Sequence, residues 1–308
     1  APDSLVITVP RTRTLTASGQ IQDAGTAWIG SVQLRCLGED LDPHVLLTPT
    51  SYTLSVIAVD VPSCDLTYVV NDAAGMSQTE GQRTVTFVDG VATADIAAPP
   101  IRTISVRNAD GSLTAGARMS WQAGGRVTLT DGSWVDLYTN GDALIDGAPV
   151  AVPVPDQDGG VGFTVTLESG PQYNESIDVV GQQDITLSLP PLVTYDVRGR
   201  VLGATQASGS ALLSCTHAYG YSTVYPDGSY SLQVLGFLSP RCSVQLTQVR
   251  SGTELVYTGF LRPITPAPPV AGIVSATADV ALPEPMTLHA VKPDGTPAQL
   301  ESAYLSAI

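Results

Sequence analysis

Apolar and polar residues alternate in short runs along the whole chain, and turn dipeptides separate the runs. Val32, Leu34 and Cys36 share one parity, as do Tyr52, Leu54 and Val56, then Phe163, Val165 and Leu167, then Tyr230, Leu232 and Val234. A period of two puts every second side chain on one face of a strand, so each run reads as a strand with one buried face. Asp-Gly occurs at Asp89, Asp110, Asp131, Asp146, Asp158, Asp227 and Asp294, and Asn140-Gly141 adds another such pair. These dipeptides suit turns that need positive φ. No apolar stripe of helical spacing persists beyond about two turns. Glycine (29) and proline (23) are scattered through the 308 residues and oppose long helices. The expectation is an all-β chain of antiparallel sandwiches or barrels.

The chain also repeats itself. Ala92–Pro99 (ATADIAAP) returns as Ala276–Pro283 (ATADVALP), an offset of 184 residues. Cys36 and Cys64 match Cys215 and Cys242 at offsets of 179 and 178, and Ser18-Gly19-Gln20-Ile21 matches Arg198-Gly199-Arg200-Val201 at 180. A period near 180 residues holds two modules of about 90 residues, type A with cysteines and type B without. The expected frame is A1 over 11–99, B1 over 100–190 and A2 over 191–283. Residues 1–10 read as the closing strand of a preceding module or an N-terminal arm, and 284–308 as opening strands of a further, incomplete one. Pro99-Pro100, Pro190-Pro191 and Pro283-Glu284-Pro285 mark the borders and suit short rigid spacers. Met286–Ile308 is too short to bury a core alone. It reads as a truncated module, or as a segment that adds a strand to a neighbouring copy.

All four cysteines are in phase with apolar neighbours, so they are expected to face the core. Pairing within each module, Cys36 with Cys64 and Cys215 with Cys242, is the economical assignment; buried free thiols are the alternative. Each bridge would stabilise by about 3–4 kcal/mol in the chain-entropy view. A metal site is disfavoured, because there is no Cys-x-x-Cys and only His44, His217 and His289 supply imidazoles. Disulfides imply an oxidising place, extracellular or on the cell surface.

Composition and motifs narrow the function. Fourteen Lys+Arg against 29 Asp+Glu give a net charge of −15, which excludes a sequence-independent nucleic-acid binder and disfavours anionic lipid. No apolar run is long enough for a membrane-spanning helix, so membrane insertion is not expected. The opening Ala1-Pro2-Asp3-Ser4 has no basic region followed by an apolar one, so any signal peptide is expected to be absent or already removed. There is no Gly-x-Ser-x-Gly, phosphate loop or dinucleotide fingerprint, so no catalytic, cofactor-binding or metal-binding residues are assigned and no enzyme activity is expected. His217 reads as packed or on the surface, and His44 as part of a solvated turn. Asp131, Asp136, Asp142, Asp146, Asp156 and Asp158 read as turn residues, with a weak Ca²⁺ site within 131–158 as the alternative. Trp28, Trp121 and Trp134 read as core, with a carbohydrate or partner surface as the alternative. Asn174-Glu175-Ser176 fits the glycosylation sequon.

Val197-Arg198-Gly199-Arg200-Val201 opens A2, and Asp227-Gly228-Ser229-Tyr230-Ser231-Leu232-Gln233-Val234 follows at mid-module. This arrangement resembles the carboxypeptidase-regulatory-like, or transthyretin-like, β-sandwich family. A1 keeps Ser18-Gly19-Gln20-Ile21 and Tyr52-Thr53-Leu54-Ser55-Val56 but has Thr50-Ser51 where the family has Asp-Gly. The resemblance implies tandem immunoglobulin-like β-sandwich modules without catalysis. The expected role is an extracellular structural repeat protein: a stalk, fibre or filament segment of a cell surface or appendage, partnered by neighbouring copies or modules. A carbohydrate- or protein-binding adhesin module, or an accessory region of a larger secreted hydrolase, is the alternative.

Overall fold

The structure, a computed structural model, describes residues 11–281 apart from 23–24, 42, 73–74, 157–159, 205, 252–253 and 258–259, together with 291 and 295–296. Of residues 248, 250–251, 254–257 and 260–261 it describes the backbone alone. The expectations for residues 1–10, Met286–Ile308, His289, Asp158 and Asp294 lie outside the described residues. The chain divides into two compact units, Ala1–Leu192 with Gly236–Leu238, and Val193–Leu235 with Ser239–Ile308.

All regular structure among the described residues is β, as the alternating pattern requires. The first unit contains β1 (Thr12–Gln22), β2 (Trp28–Cys36), β3 (Glu39–Leu41), β4 (His44–Leu47), β5 (Ser51–Val59), β6 (Ser63–Asn71), β7 (Ser77–Thr86), β8 (Val91–Thr93) and β9 (Ile96–Ala97). It continues with β10 (Ile101–Arg107), β11 (Ala115–Thr128), β12 (Trp134–Asp146), β13 (Val150–Pro153), β14 (Val161–Leu167), β15 (Gln172–Ile177) and β16 (Asp184–Ser188). The second unit contains β17 (Leu192–Leu202), β18 (Ala207–Cys215), β19 (Tyr219–Val224), β20 (Ser229–Phe237), β21 (Cys242–Ser251), β22 (Glu254–Tyr257), β23 (Phe260–Ile264), β24 (Ile273–Thr277) and β25 (Val280–Ala281), except that Leu192 of β17 and Gly236 and Phe237 of β20 fall in the first.

One topology recurs three times. An opening strand lies between an antiparallel partner and a parallel closing strand: β5-β1-β8, β13-β10-β16 and β20-β17-β24. The second unit also holds the sheet β19-β18-β21-β22, with β23 on β21, and Val193, Tyr195, Val197, Leu213, Leu232, Val244, Leu246 and Val274 of its strands are buried. The resulting sandwiches have the fold class that the alternation and the repeat call for.

The first unit departs from a simple string of modules. Its large sheet has eight strands in the order β15-β14-β11-β12-β7-β6-β2-β3, running unbroken through both cysteine-bearing and cysteine-free sequence. The join is antiparallel pairing of β12 with β7, Asp136↔Gln82 through Gly141↔Ser77. One core lies between β1, β5, β8, β9 and the β7-β6-β2 half; a second lies between β10, β13, β16 and the β14-β11-β12 half. Leu129, Val135 and Leu137, at the far end of the β11–β12 hairpin, are buried in the first core rather than the second. At 14 and 13 residues, β11 and β12 are long enough to serve both cores. Polar contacts reinforce the join: Gln22 Nε2 donates to Thr130 Oγ1 (2.8 Å), Thr130 N donates to Gln22 Oε1 (2.9 Å), and Arg83 Nη2 donates to Ser133 Oγ (3.0 Å). The reading of the proline joints as spacers gives no hint of this shared sheet.

Two glycines make the large sheet possible. Tyr68 lies opposite Gly81 and Trp121 opposite Gly141 in the cross-strand register, and a methyl group on either glycine would run into the ring. Asn140-Gly141 is therefore mid-strand in β12 and not the turn its dipeptide suggests. Asp89-Gly90 does turn: both residues have positive φ, and Val88 and Val91 bridge across them.

Candidate functional site

Cys36 is bonded to Cys64 and Cys215 to Cys242, each pair joining adjacent strands of a large sheet. Cys36, Cys64 and Cys242 are buried. Cys215 is half-buried, a correction to the expected core position, because it ends β18 at the margin of its sheet.

The residues that carry the internal repeat converge on one structural device. A side chain on Gly19 would overlap the Ala94 carbonyl and the Tyr52 ring; one on Gly199 would overlap the Ala278 carbonyl and the Tyr230 ring. Tyr52 Oη donates to Ala94 O (2.5 Å), and Tyr230 Oη donates to Ala278 O. Gln20 N donates to Asp95 Oδ1 (3.0 Å), and Arg200 N donates to Asp279 Oδ1 (2.9 Å). Arg83 Nη1 donates to Asp95 O (2.6 Å), and Arg262 Nη1 donates to Asp279 O. Glycine, tyrosine, Ala-Asp and arginine thus clasp the opening strand to the closing segment in both type A modules. Burial pushes the Tyr52 and Tyr68 hydroxyls above their ordinary range and Tyr230 up to about 12. These phenols stay protonated donors, so the clasp is a structural element and not an acid–base pair.

The remaining chemical candidates disperse. His44 is exposed at the start of β4, and the polar stretch before it forms the short strand β3 rather than an open turn. His217 N donates to Ser239 Oγ (2.9 Å), and the residue is half-buried. Asp110, Asp131 and Asp227 share one turn geometry, accepting from the amide and hydroxyl of Ser112, Ser133 and Ser229; those bonds hold each carboxyl below its usual range. Asp136 pairs with Arg126 (2.9 Å), and Asp156 accepts from buried Arg102. Asp136, Asp142 and Asp146 lie along a single strand, about 20 Å and about 14 Å apart at 3.4 Å per residue. No group of three or more His, Cys, Asp or Glu among the described residues could hold a metal ion. Trp121 is buried (3% exposed), but Trp28 (45%) and Trp134 (48%) are not, which corrects the core assignment for those two. Both start strands at the sheet's margin, and Arg126 covers the Trp134 ring at 3.6 Å.

Sequence reasoning missed the most site-like surface. The outer face of the eight-stranded sheet carries a polar trough of about 1070 Å³. Cross-strand register builds a row through Asn71, Gln78, Asn140, Gln122, Gly162 and Ser176, each directly opposite the next. A second row runs through Asp142, Ser120, Thr164 and Asn174. Thr164 Oγ1 donates to Asn174 Oδ1 (2.6 Å). Gln78, Gln122 and Asn140 are exposed, and among the described residues their side-chain amides take no hydrogen bond. Farther along the same sheet face, the outward residues turn charged: Glu80, Asp65, Asp136 and Arg126, with Arg35 on the adjoining β2. The sequence signal was an excess of Asn and Gln at outward positions, but these positions come from five strands and unite only through register.

No family model matches the chain, and no curated protein matches it. Among solved structures, a streptococcal ancillary pilin aligns at 8% identity, covering 87% of this chain and 99% of that one, with a TM-score of 0.27. The major pilin subunit BcpA of Bacillus cereus aligns at 7% identity over 89% and 100%, with a TM-score of 0.22. The major pilin SpaA of Corynebacterium diphtheriae aligns at 11% over 88% and 99%, also with a TM-score of 0.22. At such scores these likenesses bear no weight on fold or role.

Proposed function

We propose that this chain is a non-catalytic structural segment of an extracellular surface protein or appendage, made of alternating disulfide-bearing and disulfide-free sandwiches. The observation that carries the reading is the sheet that continues from β3 to β15 through the β7–β12 pairing. Such a join makes a rigid segment of two cores, since bending at the module border would break six residues of ladder on each strand. The disulfides add covalent closure inside the type A modules, which suits an oxidising exterior. The frame of A1 over 11–99, B1 over 100–190 and A2 over 191–283 belongs to this proposal. So does the kinship of type A with the carboxypeptidase-regulatory-like family, which the shared glycine–tyrosine clasp supports. Strand addition by Met286–Ile308 to a neighbouring copy is the proposed mode of assembly.

Protease shaving of intact source cells, followed by mass spectrometry and electron microscopy of the released material, tests this. Release of oxidised Cys36–Cys64 peptides together with elongated particles is the expected result. Recovery of the chain only from cytosol, with its cysteines reduced, would overturn it.

A further inference from the structure

We propose that the polar trough on the outer face of β6, β7, β12, β11, β14 and β15 binds a neutral glycan chain. The first argument is chemical. Asn71, Gln78, Asn140 and Gln122 form an unbroken cross-strand line of carboxamides, and each carboxamide offers two donors and an acceptor. That paired capacity matches vicinal hydroxyl groups, which both give and accept. Asp142, Ser120 and Thr164 stand beside the line and extend the same chemistry.

The second argument is geometric. Adjacent strands lie about 4.8 Å apart, so the six-strand row is about 24 Å long and suits an extended ligand of several sugar rings. Gly162 leaves the floor of the row open: a methyl group there would meet nothing within 4 Å. Tyr138, 38% exposed and two residues before Asn140 on the same face, stands opposite Gly124 about 7 Å along the strand from the amide row, beside the neighbouring groove. An apolar pyranose face can stack on its ring while the hydroxyls reach the amides.

The third argument is charge. The two rows contain a single ionisable side chain, Asp142, and no cation, although the same sheet face bears Arg35, Arg126, Asp65 and Asp136 farther along. With a net charge of −15 on the chain, anionic polymers are repelled, and exposed apolar surface in the trough is confined to Met76, a poor base for a protein interface core. Neutral polyhydroxylated ligands fit these conditions.

The test uses the full chain on an array of neutral and acidic glycans, followed by calorimetry with cellohexaose and chitohexaose as neutral probes and heparin as the anionic one. Binding to at least one neutral glycan and none to heparin is expected. Asn140→Ala with Gln122→Ala should weaken that binding at least 10-fold, and Tyr138→Ala about 5-fold. All three residues are exposed, so circular dichroism of the variants should match the parent. Tyr221→Ala, on an exposed tyrosine (81%) of the second unit, should leave binding unchanged. Failure of every neutral glycan, preference for heparin, or loss on Tyr221→Ala with none on the amide pair would each overturn the proposal.

Discussion

Leu137 belongs by sequence to the cysteine-free module, yet its side chain is buried (2% exposed) in the core that contains the Cys36–Cys64 bridge. Leu137→Ala is therefore a direct probe of whether the two cores form one cooperative body. Truncating a buried leucine costs about 2–5 kcal/mol, and about 3 kcal/mol corresponds to roughly a hundredfold rise in the opening equilibrium. Tryptophan fluorescence reads the first unit selectively, because Trp28, Trp121 and Trp134 all lie there. Urea unfolding should show one transition, shifted to lower denaturant without a change in slope. Hydrogen exchange should then locate the effect, with slow amides of β2, β6 and β7 accelerating by the same factor as those of β12. The reasoning fails if protection falls only in β11, β12 and β14 while β2 and β6 keep theirs. That outcome would mean the β7–β12 ladder is a contact and not a structural join.

Gly199→Ala should destabilise the second unit by about 2–4 kcal/mol, since the new methyl meets the Ala278 carbonyl backbone and cannot be relieved by a side-chain shift; hydrogen exchange of β17 and β24 measures it. Reduction of both disulfides should cost each type A module about 3–4 kcal/mol, checked by urea midpoints with and without reductant. Stretched singly in force spectroscopy, the first unit should unfold in one step, and reduction should lengthen that step by about 100 Å, from 28 residues at roughly 3.5 Å each. Two separate steps would contradict a shared sheet. Stability should be complete at neutral pH and fall as pH rises past about 10: Tyr52, Tyr68 and Tyr230 have raised folded-state values, so the unfolded chain loses protons first. Urea midpoints across pH 8–12, with Tyr230→Phe showing a shallower fall, check the sign.

What could be read from the chain beforehand divides along a physical line. Strand identity is local: the parity of Tyr52, Leu54 and Val56 fixes which face is buried, and the burial of Tyr52 and Leu54 follows from it. Turn chemistry is local too, which is why Asp110, Asp131 and Asp227 form one geometry in three places. The repeat adds long-range information, because two copies of Gly, Tyr and Ala-Asp at a common offset must answer to one arrangement. The choice of sheet neighbour is different. β7 and β12 lie about fifty residues apart and each alternates like any other strand, so nothing within either marks it as the other's partner. Two glycines did hold a clue. Gly81 and Gly141 interrupt otherwise well-formed strands, a position that weakens a strand unless something must come close. In both cases the cause is a large ring directly across the ladder, Tyr68 and Trp121. The same register that seats those rings inward turns Gln78, Asn140 and Gln122 outward in a line. The amide trough is thus a consequence of the joined sheet, and a binding site there would require the β7–β12 join to form first.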